Sequence, residues 1–353
     1  MLQLPKQTKT SKIWLSLFET PAERISSLID IRYACTAAIR NMLQWAGNLV
    51  TLNITLRREP FLNIKEFFNS IQTNQQVYKA SLSRQLAADL PPDVEETSLK
   101  DEPKDWFIKT ADFDDDYDRV LQHRDGEYTQ LLEDITRYHQ IFQQGYDKII
   151  LLRPPTYTGY DIQLTAAMQC LGYTKEQFQF IIVQPIKLYA FHKTNQKIHP
   201  LPDIATEELI SAIGMDALRW YSLRVPLTGI APINISTAGQ LNDSLYRVQS
   251  AHFRCSKLLQ EAKKEINVSS PLAIAEKLDN LLQTVPKILE QSAEEIAPHL
   301  VIQHLETISE ICHQWLDSLG VTSPDYELLL TTKETIFDLL VNILNITAPE
   351  SNN

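Results

Sequence analysis

The sequence predicts an α/β domain with a mostly parallel sheet over residues 1–203 and a helix bundle over residues 204–353. Two observations carry this. Short apolar, β-branched runs alternate with amphipathic helical segments as far as residue 183, the pattern of stacked βαβ units. From about Ile204 onward only helical periodicity remains. A third observation limits what the α/β part can hold: there are 9 glycines, where average usage of about 7% would give roughly 25. So few glycines argue against a glycine-rich phosphate loop.

In chain order, Lys12–Phe18 (KIWLSLF) alternates as a strand. Ala22–Ala46 then places Ile25, Leu28, Ile31, Ile39, Met42 and Leu43 at helical spacing until Gly47. Asn48–Leu56 is rich in β-branched residues and reads as a second strand; Phe61–Leu90 reads as a helix ended by Pro91-Pro92. After an acidic loop, Trp106–Lys109 reads as a strand, Tyr128–Gln144 as a helix and Lys148–Leu152 (KIILL) as a buried strand. Asp161–Leu171 follows as a helix and Phe178–Val183 as a strand. In the second half, Ser270-Pro271 and Ser323-Pro324 each put a capping hydroxyl ahead of a first-turn proline. The clearest helix of the bundle runs Gly239–Ile266, with Leu241, Leu245, Val248, Cys255, Leu259, Ala262 and Ile266 on one stripe, and His252 in the vacant place of that series.

Composition bounds the function classes. Hydrophobic residues are 44% and charged residues 22% of the chain, and the formal charge is −11. Pro91–Glu127 holds thirteen acidic against five basic residues, so −8 of that charge sits in one segment and the remainder is close to neutral. Cys35, Cys170, Cys255 and Cys312 are scattered, with no C-x-x-C pair, which predicts buried thiols in a reducing compartment. The three lysines of the first twelve residues have no apolar run behind them, and no stretch reaches eighteen apolar residues. The expectation is a soluble cytoplasmic protein with no membrane partner.

No constellation proves an enzyme. Asp112, Asp114 and Asp116 alternate as in a calcium loop, but Tyr117 stands where the turn needs glycine and His123 where a bidentate glutamate belongs. His299, His304 and His313 are five and nine residues apart, not the three or four that place two ligands on one helical face. No metal is expected, and no nucleophile motif such as G-x-S-x-G occurs. Arg247, Arg254, Lys257 and Lys264 do fall on one side of the long helix. They could track phosphates, or form an ordinary solvated face.

Gly214-Met215-Asp216-Ala217-Leu218-Arg219-Trp220-Tyr221, followed by Tyr246-Arg247-Val248-Gln249-Ser250-Ala251-His252 and a closing Ile346-Thr347-Ala348-Pro349-Glu350, resembles arginyl-tRNA synthetase. That family's anticodon-binding bundle carries a D-A-L-R tetrad, a Y-x-V-Q-Y-A-H helix start and an I-x-A-P-E end. The first half is similar to its class I catalytic domain at Asp134-Ile135, Gly145-Tyr146-Asp147, Gly159, Gln163-Leu164 and Leu171-Gly172-Tyr173. The resemblance implies a Rossmann-like domain followed by an anticodon-binding-type bundle. It also implies tRNA contacts by Tyr246, Arg247, Gln249, His252, Arg254 and Lys257, and an amino-acid pocket at Asp134, with Gln130 where the family has a tyrosine.

The family's ATP signatures do not recur. ISSLID (25–30) stands where H-x-G-H is expected, residues 189–199 contain no K-M-S-K, and Pro154–Tyr160 keeps only the glycine of the family's G-A-D-H-x-G-H turn. Losing groups that stabilise charge on transferring phosphates is expected to cost adenylate formation orders of magnitude in rate. The expectation is a catalytically silent, tRNA-binding or regulatory paralogue with no catalytic residues and no cofactor. One alternative is an active arginine-tRNA ligase that uses ATP through His192, Lys193 and Lys197. Another is a scaffold that binds a protein partner instead of tRNA.

Overall fold

The computed structural model describes residues 10–17, 25–53, 63–81, 104–191, 198–202, 204–241, 243–261, 272–319 and 325–350. The proline caps at Ser270-Pro271 and Ser323-Pro324, Lys264, the 192–197 segment and the side chains of Ile25–Asp30 lie outside the described residues. In chain order the elements are β1 (Lys12–Leu17), α1 (Ile25–Trp45), β2 (Leu49–Asn53), α2 (Ile64–Ile71), β3 (Val77–Ala80), β4 (Asp105–Ile108), β5 (Arg119–Gln122), α3 (Gln130–Gln143), β6 (Lys148–Arg153) and α4 (Thr158–Cys170). Then come β7 (Phe178–Ile182), β8 (Ile186–Phe191), β9 (Ile198–Pro200), α5 (Thr206–Ile213), α6 (Met215–Leu223), β10 (Ala231–Asn234), α7 (Ser244–Glu261), α8 (Leu272–Glu295), α9 (Pro298–Ser318) and α10 (Tyr326–Phe337).

Two compact units form: a sheet unit of residues 11–19 and 53–181, and a helical unit of residues 1–10, 20–52 and 182–353. In the sheet unit β1 pairs parallel with β6, Ile13 opposite Lys148 and Leu17 opposite Leu152, and β7 lies on the other side of β6. Strand β6 is apolar without alternation because Ile149, Ile150, Leu151 and Leu152 are all buried, as a strand covered on both faces requires. Its last residue, Arg153, is buried too, at 1% exposure. Helix α3 starts at Thr129, whose hydroxyl accepts from Leu132 N. It packs Leu132 and Ile135 into the core with Leu164 and Met168 of α4.

A second, antiparallel sheet orders β3-β4-β5. The predicted helix over 61–90 is in fact α2 followed by a turn and β3. The Asn74 side chain accepts from Gln76 N and closes that turn, and Val77 and Tyr78 then pair with Ile108 and Phe107. Strand β5 was not expected behind an acidic run; its Val120 pairs with Phe107.

The helical unit takes in more than the expected 204–353. Helix α1 packs against α6, α8 and α9, burying Ala38, Ile39 and Met42 completely, and Asn41 Nδ2 donates to the Ile343 carbonyl at 3.1 Å. The expectation of helices alone after Ile204 also needs correction: β10 pairs parallel with β8, which pairs antiparallel with β9. Pro232 is tolerated because β10 is an edge strand. Helix α7 begins at Ser244, not Gly239. Gly239 has φ +74°, and a Cβ there would collide with the Ile213 carbonyl oxygen, so the chain turns at this point. Leu241, assigned to the apolar stripe, is instead 71% exposed ahead of the helix.

Candidate functional site

The motif residues of the helical unit converge on the chain's own last segment. Asp216 accepts from Thr347 through both its backbone N–H (3.1 Å) and its hydroxyl, and Arg219 Nη1 donates to the Asn345 carbonyl at 2.9 Å. Between them in the tetrad, Ala217 and Leu218 are buried. From α7, Gln249 Nε2 donates to the Thr347 carbonyl at 2.9 Å, and His252 Nδ1 donates to the Pro349 carbonyl at 3.1 Å. The segment reaches this position because a π-helical turn over Asp338–Ile343 ends α10 and Asn345 adopts φ +58°.

His252 is 0% exposed and its pKa is lowered, first by burial. The side chain is thus part of the clamp on the terminal segment. Its position on the apolar stripe was the sequence signal for this.

The remaining expected contacts divide by partner. The Arg254 guanidinium donates to Asp317 at 2.6 Å and to His313 Nδ1 at 2.9 Å, while His313 Nε2 donates to the Arg247 carbonyl. Arg254 thus ties α7 to α9, its charge balanced by a carboxylate. Lys257 is exposed, 4.0 Å from Glu261. Arg247 is exposed, and its guanidinium has no ion pair or hydrogen bond among the described residues. Tyr246 beside it is 38% exposed.

Arg247 stands at the junction of two adjoining hollows of about 700 and 430 Å³, which also share Arg224 and Ser244. The first lies between α7 and α9, and the second reaches Tyr221, Thr237 and Gln240. The start of α7 is fixed there by Asp243, which accepts from Leu245 N, Gly239 N and the Tyr221 hydroxyl.

In the sheet unit, Asp134 and Gln130 do come together: Gln130 Nε2 donates to Asp134 Oδ2 at 3.1 Å. Tyr160, from the Pro154–Tyr160 turn, donates to the same oxygen at 2.6 Å. Burial first, then the Asp134 carboxylate, pushes the Tyr160 phenol well above its usual range, so it stays a donor. Next to this pair is a residue the sequence reading passed over. The Arg153 guanidinium lies 3.2 Å from Asp161 Oδ1 and 3.5 Å from the Tyr138 hydroxyl, with the Phe180 ring centroid at 4.9 Å. Burial raises the Asp161 carboxyl to about 6 despite Arg153, and raises Tyr138 to about 12. A single charged residue closing an apolar strand was the only sequence signal for this cluster.

The acidic loop is tied down by pairs within the sheet unit. Asp115 meets Arg119 at 2.6 Å, Asp118 accepts from Tyr78, and Asp114 meets Lys175 at 2.6 Å. All four cysteines are free and buried. No group of three or more metal-ligating side chains occurs among the described residues, and none of their helices is long and apolar enough to cross a membrane.

Residues 248–351 match the DALR anticodon binding domain family. The arginine–tRNA ligase of Oceanobacillus iheyensis is 30% identical over an alignment covering 69% of this chain and 47% of its own length; that of Bacillus subtilis is 28% identical over the same shares. The chain therefore spans about half the length of these curated relatives. Among solved structures, Thermus thermophilus arginyl-tRNA synthetase superposes with a TM-score of 0.75 at 11% identity, covering 99% of this chain and 84% of its own. Mycobacterium tuberculosis methionyl-tRNA synthetase gives 0.58 at 12% identity, covering 96% and 90%. The chain is an arginyl-tRNA synthetase-like protein with a class I synthetase fold.

Proposed function

We propose that this chain binds tRNA in the cytoplasm through its helical unit and does not aminoacylate it. The observation that carries the reading is the exposed end of α7. There Arg247, with no carboxylate partner among the described residues, stands beside the half-exposed ring of Tyr246 at the mouth of two hollows. An uncompensated guanidinium next to an aromatic face suits a phosphate and an unstacked base. Lys257, nearly three turns along the same helix, extends the positive edge. The silence of the catalytic half rests on sequence, since ISSLID replaces the histidines that would hold ATP. The 1–203 and 204–353 division enters this reading as a functional one: a reduced nucleotide-fold half and a tRNA-binding half.

Labelled arginine tRNA and an unrelated tRNA, titrated across a salt series, test the first part. Selective binding that weakens in Arg247→Ala is expected. Absence of binding at low salt overturns it and leaves the protein-scaffold alternative. Arginine-dependent exchange of pyrophosphate into ATP tests the second part: no exchange is expected, and exchange abolished by Lys193→Ala would establish the ligase alternative.

A further inference from the structure

The Arg153 cluster has the composition of a ligand site rather than of a core. A guanidinium is planar, delocalised and weakly hydrated, and it is recognised by aromatic faces together with a carboxylate fork. Arg153 presents its guanidinium to three rings, Phe180 at 4.9 Å, Tyr157 at 5.8 Å and Tyr160 at 5.9 Å. The Asp161 carboxylate lies at 3.2 Å and the Tyr138 hydroxyl at 3.5 Å. All of these belong to the sheet unit.

The fit is incomplete in one respect. Asp161 is 5% exposed, yet neither of its carboxylate oxygens has a hydrogen-bond partner among the described residues; the contact with Arg153 is one of charge without aligned N–H groups. A buried carboxylate normally accepts hydrogen bonds, and a bidentate pair is the strong form. Here that form is not met.

We propose that this box, formed by Tyr138, Tyr157, Tyr160, Asp161 and Phe180, is a guanidinium-recognition site that Arg153 fills in cis, so that free arginine and other guanidinium compounds are kept out. The inference stands apart from tRNA binding, which concerns the helical unit. Removing the Arg153 side chain vacates the box and leaves Asp161 able to take a small guanidinium face-on.

The test compares the full-length wild type with Arg153→Ala for binding of methylguanidinium and L-arginine, with methylammonium and L-citrulline as controls, by calorimetry and melting temperature. Expected is no binding by wild type at millimolar ligand, and a one-to-one site in Arg153→Ala for methylguanidinium at least tenfold tighter than for methylammonium. Asp161→Asn added to Arg153→Ala should abolish it. Citrulline, with the shape but not the charge of arginine, should not bind. Wild type binding arginine as tightly as the variant overturns the proposal, as does a folded variant that ignores methylguanidinium or takes methylammonium equally well. If Arg153→Ala does not fold unaided, it is refolded with methylguanidinium present: recovery supports the proposal, and failure beside a well-folded Arg153→Met overturns it.

Discussion

Two polar clusters, a half-buried one in the helical unit and a buried one in the sheet unit, are built on different principles. In the helical unit, Asp216, Arg219, Gln249 and His252 each meet a backbone group of the terminal segment at ordinary hydrogen-bond distance. In the sheet unit, Arg153 and Asp161 are paired by charge, and both carboxylate oxygens lack a hydrogen bond among the described residues. The first arrangement commits each of its four side chains to the terminal segment, although His252 Nε2 finds no hydrogen-bond partner among the described residues. The second leaves capacity unused, and an unused buried carboxylate is costly unless something makes use of it. Hence four of the motif residues, Asp216, Arg219, Gln249 and His252, hold the fold, while the Arg153–Asp161 pair carries no motif.

The sharpest way to break this contrast is to remove one member of the charge pair. Asp161→Asn leaves the Arg153 guanidinium buried without its counter-charge, which should cost about 3–5 kcal/mol, as for other broken buried pairs. Replacing both, as Arg153→Met with Asp161→Leu, should recover most of that loss, because a buried ion pair gains little over apolar packing of similar volume. Urea unfolding of the three proteins measures both effects. A double replacement as unstable as Asp161→Asn would mean that the pair itself supports the fold.

Acidity separates the clusters by sign. Asp161 titrates near 6 when folded and near its ordinary value of 3.8 when unfolded, so between those values the folded chain holds the extra proton. Its contribution to stability is complete below pH 4 and is lost as pH rises to 6, a span worth roughly 3 kcal/mol for a two-unit shift. His252 runs the other way. Burial lowers its pKa, so the unfolded chain takes the proton first, and its contribution is complete above about pH 6.5 and lost as pH falls. Unfolding at pH 4.5, 5.5 and 7 should show the Arg153→Met/Asp161→Leu chain relatively more stable than wild type as pH rises. His252→Asn should be relatively more stable as pH falls. Parallel curves for all three would remove the distinction.

The clamp itself should break more gently. Asp216→Ala deletes two hydrogen bonds to Thr347 and the 3.5 Å contact with Arg219, in a side chain about a quarter exposed. The expected loss is about 2 kcal/mol, in the range for hydrogen bonds to a charged group. Amide exchange at Thr347 should accelerate in step with that loss. If exchange there is already fast in wild type, the terminal segment is not held and the scaffold reading of the motif fails.

The same contrast explains what the sequence could say. Strand β1 was legible from its alternation and β6 because a buried parallel strand needs a continuous apolar run, and KIILL has no competing helical reading. Strand β3 was not, because the turn before it is built from Thr73, Asn74 and glutamines without glycine or proline, and Phe67, Phe68 and Ile71 had already set a helical period. Strand β10 was missed because Pro232 argues against a strand unless its edge position is known. Helix α1 was read correctly as a helix but placed with the sheet, since periodicity reports a buried face and not which core buries it. At the site level, Gln249 and His252 were legible as a motif, yet a motif does not state its partner. Arg153 was invisible because one charged residue at a strand end is ordinary until its burial is known.

Arg247 supplies the smallest expected effect on stability and the most selective one on binding. Its guanidinium holds nothing among the described residues, so Arg247→Ala should change unfolding free energy by less than about 0.5 kcal/mol, as surface substitutions do. Arg254→Ala removes the bridge to Asp317 and His313 and should destabilise the α7–α9 packing measurably more. On tRNA the order reverses. Losing one phosphate contact at Arg247 should flatten the dependence of log affinity on log salt by about 0.7–0.9, while Arg254→Ala, whose charge is already balanced by Asp317, should leave that slope nearly unchanged. Two variants on one helix face then dissociate fold from binding. Equal slopes for both would mean that proximity on the helix, and not the availability of the charge, decides what meets RNA.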